Sequence, residues 1–168
     1  MTLPARSAAR SRPGSGRGSE EVSALDKRII EHLQTDGRRP FTQIANDLGV
    51  SEAAVRARTN RLIERGILQV VGVTDPLKLG FQQMAMIGIR CESDMLIEVS
   101  ESLAEMPEVD YVVITAGTYD LLIETVCEDN EALLVFLAER LRAIKGVRET
   151  ETFVYLRLVK QTYQYGTR

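Results

Sequence analysis

The sequence predicts an α+β protein in two parts: a winged-type helix-turn-helix domain, then a ferredoxin-like βαββαβ domain. Three observations lead there. Apolar residues recur at helical spacing up to about Gly66, then alternate like a strand from Ile67, after which strand and helix patterns take turns. Gly49-Val50 makes a sharp turn between two short helical stretches. Charge is also divided. Up to Asp75 there are 12 Lys+Arg against 9 Asp+Glu, a net of +3; the remainder holds 9 against 15, a net of −6, and the two sum to the overall −3. A basic half joined to an acidic half is expected when only one of them meets phosphate.

Taken in order, residues 1–21 hold Pro, Gly, Ser and Arg with little to bury and are expected to be disordered. They are either a floppy basic leader or an arm that touches DNA phosphates through Arg6, Arg10, Arg12 and Arg17. The DNA-binding domain is expected over 22–66. Ser23 and Asp26 form a capping box, Leu25, Ile29, Ile30 and Leu33 make an apolar stripe, and Asp36-Gly37 stops the helix. The helix-turn-helix itself covers about 41–60. Its first helix runs from about Thr42 to Leu48, Ser51 caps the next, and Gly66 ends that one.

Residues 67–83 are expected to be a linker strand (ILQVVGVT) and a connection broken at Asp75-Pro76. Over 84–168 the patterns predict a strand at 84–91, a helix at about 94–105, strands at 109–115 and 119–126, a helix at about 129–144 and a strand at 151–159. That order gives an antiparallel sheet with both helices on one face.

Several function classes drop out. No run approaches the roughly 18 apolar residues of a membrane span. The N-terminus has no apolar secretion segment, so the expected location is the cytoplasm, in association with the nucleoid. Cys91 and Cys127 lack metal spacing and read as buried thiols, and His32, the only histidine, reads as an ordinary helix residue. No metal or cofactor is expected.

In a helix-turn-helix the first helix needs a small residue at the crossing, the turn a residue tolerant of positive φ, and the second helix an apolar anchor. Ala45, Gly49 and Val55 stand at those places, with Ile44, Leu48 and Leu62 filling the core. At about 100° per residue, Val55, Thr59 and Leu62 share one side of the second helix. Ala53, Ala57, Asn60 and Arg61 lie opposite, with Arg56 at the edge. Small residues allow close approach to base edges, and Arg56 and Asn60 carry the forks that read guanine or adenine. Arg58, Arg61 and Arg65 are expected to hold the phosphate backbone. Glu52 either accepts from cytosine or favours the helix dipole. Arg38 and Arg39 lie near the same backbone, and Gln43 and Ser51 complete the DNA-contacting set. Double-stranded DNA is the expected partner.

Four stretches, VSALDKRIIEHLQTDGR, QIANDLGVSEAAVRARTNRLIERGIL, VTDPLKLGF and TAGTYDLLIETV, occur in this order between Val22 and Gln164. Together they resemble the Lrp/AsnC family of feast/famine transcriptional regulators. The resemblance implies pairing of the second domains across their sheets into dimers, often assembled into octamers, with the linker strand pairing with its counterpart. It also implies a small effector, usually an amino acid, bound near the hairpin between dimers. Carried onto this chain, that site comprises Tyr111, Val113, Thr115, Gly117, Tyr119 and Asp120. Backbone N–H groups around Gly117 suit a carboxylate and Asp120 suits an ammonium; alternatively Gly117 simply turns the chain, Tyr119 packs and Asp120 caps. The chain departs from the family pattern at Val22-Ser23, at the bulkier, more basic Arg39-Pro40-Phe41, and at the polar anchor Thr59.

The expected function is thus a sequence-specific DNA-binding transcriptional regulator modulated by a small effector. An effector-independent architectural DNA binder is the alternative. The siroheme decarboxylases share the two-part architecture but rely on histidines in the second domain, where this chain has none. No other catalytic set is present in the sequence, so no enzyme is expected.

Overall fold

The computed structural model describes residues 22–162 and 166–167, so the leader expected over 1–21 lies outside the described residues. Two compact units form, one spanning Thr74–Val159 and the other holding the described residues up to Val73 with those from Lys160 onward. The described residues from Lys160 onward, expected with the second domain, therefore group with the helical unit.

Three helices build the helical unit: α1 (Ala24–Thr35), α2 (Phe41–Leu48) and α3 (Glu52–Glu64). Ser23 and Asp26 close the capping box on α1, the Ser23 hydroxyl accepting the Asp26 N–H at 3.2 Å and the Asp26 carboxylate accepting the Ser23 N–H at 3.1 Å. Gly49 ends α2 in the left-handed conformation, φ 68°, which glycine adopts without the Cβ clash. The Ser51 hydroxyl then caps α3 by accepting from Ala54 N–H. Ile29, Ile44, Val55 and Leu62 are fully buried between the three helices, each stabilising by about 1.5–3 kcal/mol over an exposed side chain.

Residues 67–75 carry no strand hydrogen bonding, so the linker strand and any wing are not formed within the chain. The alternating apolar residues are present, but Val70, Val71 and Val73 remain exposed. A strand needs a neighbour for its backbone groups, and this segment has none among the described residues. A short 3-10 turn, Pro76–Leu79, follows, capped by Asp75.

The second unit holds β1 (Gln83–Cys91), α4 (Leu96–Ala104), β2 (Val109–Ile114), β3 (Leu121–Cys127), α5 (Asn130–Val135) and β4 (Val147–Val154). Its sheet has the order β2-β3-β1-β4 with antiparallel pairing throughout, the expected ferredoxin-like arrangement. Ala85, Ile87, Ile89, Leu121 and Ile123 face Val99 and Leu103 of α4 and Leu133 of α5. After Val135 the chain winds on with π-type turns over Phe136–Leu141. A π turn brings residues five apart onto one face, and both Phe136 and Leu141 are buried.

β4 starts and ends earlier than the sequence pattern suggests. Its polar half, from Val147 to Thr152, pairs with β1 residues 87–91, and the ladder ends at Val154, with Tyr155 N–H adding one last bond to the Met84 carbonyl near the start of β1. As an edge strand β4 tolerates polar side chains, which hid its first half. Similarly β3 begins at Leu121, because Tyr119 and Asp120 belong to the turn.

Candidate DNA-binding face and effector hairpin

On α3 the inward side chains are Val55, Thr59 and Leu62, 0%, 1% and 0% exposed, as the helical spacing requires. Ala53, Arg56, Ala57, Asn60 and Arg61 are exposed, as is Gln43 on α2. The helix therefore presents two small residues flanked by one amide and two guanidinium groups.

The basic residues of this unit play different parts. Arg58 reaches back to α1, donating to Asp26 Oδ1 at 3.0 Å and to the Ser23 hydroxyl at 3.2 Å. Asp26 is only 1% exposed, and Arg61 lies 3.6 Å from its second oxygen. Burial alone would raise the Asp26 carboxyl, but the Ser23 hydroxyl, the Arg58 guanidinium and the Ser23 N–H together hold it below 3.8. Arg39 bridges Asp47 and His32 Nδ1, the latter at 2.9 Å, which gives the single histidine the role of hydrogen-bond acceptor between α1 and α2. Arg38 is exposed, and its backbone N–H donates to Asp36. Arg56 pairs with Glu52 at 2.6 Å, and its guanidinium carbon stands 5.3 Å from the ring centre of Phe41.

The second site centres on the β2–β3 hairpin. Thr115 N–H donates to the Asp120 carbonyl and its hydroxyl to the Tyr119 carbonyl, closing the turn over Gly117. Asp120 fastens this turn to β1: its N–H donates to the Ile89 carbonyl, and its Oδ2 accepts from Cys91 N–H at 2.8 Å. Arg90 adds a third fastening by donating Nε–H to the Thr118 carbonyl at 3.0 Å, while Nη1 sits 3.3 Å from Glu149. Beneath the hairpin the Tyr119 ring lies on Gly88, where a Cβ would come within 2.6 Å of it, and meets Phe153 edge-on at 6.4 Å.

Tyr111 pairs across with Glu124, and Val113 with Leu122. Their alternation with the core residue Val112 puts both on the sheet face opposite the helices, together with Met86, Gly88 and Phe153. Tyr155, hydrogen-bonded to Glu124, is pushed up to about 12 by burial and by that carboxylate, so it stays a donor. Val113, Thr115, Gly117, Tyr119 and Asp120 thus gather at the hairpin end of the sheet, whereas Tyr111 lies on the same face but level with Met86, nearer its centre. Both cysteines are buried and free; burial pushes their thiols up, with the Asp120 carboxylate adding to the effect on Cys91. Sequence reasoning did not single out Gly88, Arg90 or Phe153. A glycine in mid-strand signals close approach of another group, so Gly88 was detectable; Arg90 and Phe153 carried no local signal.

Comparison with known proteins agrees with this geometry. Residues 23–63 match the AsnC-type helix-turn-helix domain, and residues 84–165 match the Lrp/AsnC ligand binding domain. An uncharacterised HTH-type transcriptional regulator of Pyrococcus furiosus is 36% identical over 143 residues, covering 84% of this chain and 97% of that protein. The chain belongs to the Lrp/AsnC family.

It is a transcriptional regulator of that family with a helix-turn-helix and a ligand-binding domain. The HTH-type transcriptional regulator FL11 of Pyrococcus horikoshii is 32% identical over 142 residues, 84% of this chain and 93% of its own. Among solved structures, E. coli AsnC has a TM-score of 0.75 at 25% identity, covering 84% of this chain and 96% of AsnC. A feast or famine regulatory protein from M. tuberculosis, complexed with L-methionine, shares the fold with a TM-score of 0.78 at 23% identity, covering 86% and 99%. Among the described residues no helix is long and apolar enough to cross a membrane.

Proposed function

We propose that this Lrp/AsnC regulator binds specific double-stranded DNA sites through α3 and that an amino acid bound at the β2–β3 hairpin modulates its assembly. The observation that carries the DNA half is the outward face of α3, where Ala53 and Ala57 leave room for Arg56 and Asn60 to reach base edges. Arg61, Arg65, Arg38 and Gln43 surround that face and serve the phosphate backbone, with Ser51 and Glu52 at the helix start. Arg58 and Arg39, committed to Asp26 and to Asp47 with His32, act by holding the helices that present it.

The effector half rests on the hairpin. Gly117 does not occupy the left-handed region, and a Cβ there would meet nothing within 4 Å. Neither a left-handed conformation nor packing among the described residues calls for a glycine here, which supports close approach of a ligand. Tyr111, Val113, Thr115, Tyr119 and Asp120, on β2 and the same hairpin, are the side chains proposed to contact it with Gly117, and L-methionine is the first effector to test, given its presence in a related fold. The exposed Tyr111 and Phe153 on the sheet face opposite the helices, with the exposed Val70, Val71 and Val73, support a dimer whose two α3 helices enter successive major grooves.

Two measurements test this reading. Thermal melts with each of the twenty amino acids, combined with light scattering, should show one or a few that raise the melting temperature and change the assembly size. The effector half fails if none does either. Arg56→Ala should weaken binding to a selected site more than to random DNA; an equal loss on both would remove Arg56 from base reading.

A further inference from the structure

Arg56 is the exposed guanidinium best placed to meet a base edge, yet a free arginine side chain loses much rotamer freedom when ordered. Two contacts in the unbound chain act on this. Glu52, one turn earlier on α3, accepts from Nη2 at 2.6 Å. Phe41, the first residue of α2 and half-buried against the helical core, places its ring 5.3 Å from the guanidinium carbon. Both partners come from the helix-turn-helix itself, one from each helix.

The two restraints differ in what they take from the guanidinium. Glu52 occupies a donor in the plane of the fork. A guanine needs two parallel in-plane donors for its O6 and N7, so the Glu52 bond is in competition with the base, and its side chain is exposed enough to be screened by salt. Phe41 interacts with the face of the guanidinium and leaves the edge donors available. Its contact therefore persists when the fork turns from Glu52 to a base. Leucine or alanine at position 41 offers no such face, and lysine at 56 has no plane to orient.

We infer that Phe41 is a positioning residue that orients Arg56 and thereby sets preference for a guanine in each half-site. This rests on the reading that Arg56 contacts bases.

The test uses the full chain. Wild-type protein selects its preferred duplex from a randomised library, and fluorescence anisotropy then gives affinities for that duplex and for a shuffled one. Variants are Phe41→Leu, Phe41→Tyr, Arg56→Ala and the Phe41→Leu/Arg56→Ala pair, each checked for a wild-type helical melt. Phe41→Leu should weaken the selected duplex about two- to fivefold, leaving the shuffled duplex and the salt slope unchanged. Phe41→Tyr should restore wild-type binding, and Phe41→Leu should cost nothing further once Arg56 is absent. Equal weakening of both duplexes, or a full cost in the Arg56→Ala background, would overturn the inference, because Phe41 would then act only by packing α2. If Arg56→Ala leaves the selected-to-shuffled ratio unchanged, base reading itself fails and the inference goes with it. If that ratio falls while Phe41→Leu leaves it intact, base reading stands and the role of Phe41 is wrong.

Discussion

Individual side chains in the helical unit divide into those that build the recognition surface and those that compose it. Asp26 belongs to the first group: it is buried, yet its charge is met by Ser23 and Arg58. A carboxyl held below its ordinary value contributes stability that is present above the unfolded value and lost as pH falls through the folded one. Asp26→Asn should therefore lower the melting temperature most at neutral pH, by the equivalent of about 1–3 kcal/mol, and progressively less below about pH 4. An equal deficit at pH 7 and pH 3 would show that the charge is not what matters. Thr59 is the opposite case. It fills the anchor position of α3 at 1% exposure, and its hydroxyl has no partner among the described residues. Thr59→Val keeps the shape and removes the unpaired hydroxyl, so it should raise the melting point by the equivalent of about 1 kcal/mol without altering DNA affinity. A lower melting point would mean that the hydroxyl finds a partner in solution.

At the scale of elements, the β2–β3 hairpin is held to β1 by Asp120, Arg90 and the Tyr119 ring, while a Cβ at Gly117 in its turn would meet nothing within 4 Å. The two glycines of this region should consequently respond differently to alanine. Gly88→Ala drives a methyl into the Tyr119 ring, so it should cost about 1–3 kcal/mol in thermal melts and displace the hairpin. Gly117→Ala should melt like wild type but lose the thermal shift produced by an amino acid; a retained shift would exclude the hairpin tip from effector binding. The helices and the Gly49 turn were legible in the sequence because caps, apolar spacing and the turn glycine all act within a few residues. The end of β4 and the fastening of the hairpin were not. They depend on residues such as Gly88 and Tyr119, or Arg90 and Glu149, that lie far apart in sequence and meet only through strand register. The α3 arginines illustrate the same limit: helical spacing separates inward from outward positions, but the partners of Arg58 and Arg56, Asp26 and Phe41, come from other helices.

For the whole molecule, the segment 67–75 and the face of the sheet opposite its helices raise one question. Val71 is 69% exposed and Val73 59%, in a stretch whose alternation suits a strand that the described residues do not pair. Met86, at the centre of the sheet on β1, faces the same way as Tyr111, Leu122 and Phe153. Such surfaces are stabilised by burial against a complementary surface, and a second copy would supply one by two-fold symmetry. A dimer would also join two α3 helices, so that each half-site raises the effective concentration at the other, a gain of about 100-fold or more. Met86→Asp places a charge at the middle of that face without disturbing the helix-packed core on the other side. It should convert the protein to a folded monomer by light scattering and weaken a two-half-site duplex by about 100-fold or more, while a single half-site is bound as before. If Met86→Asp keeps the size of the wild type, the sheet face is not where the copies meet.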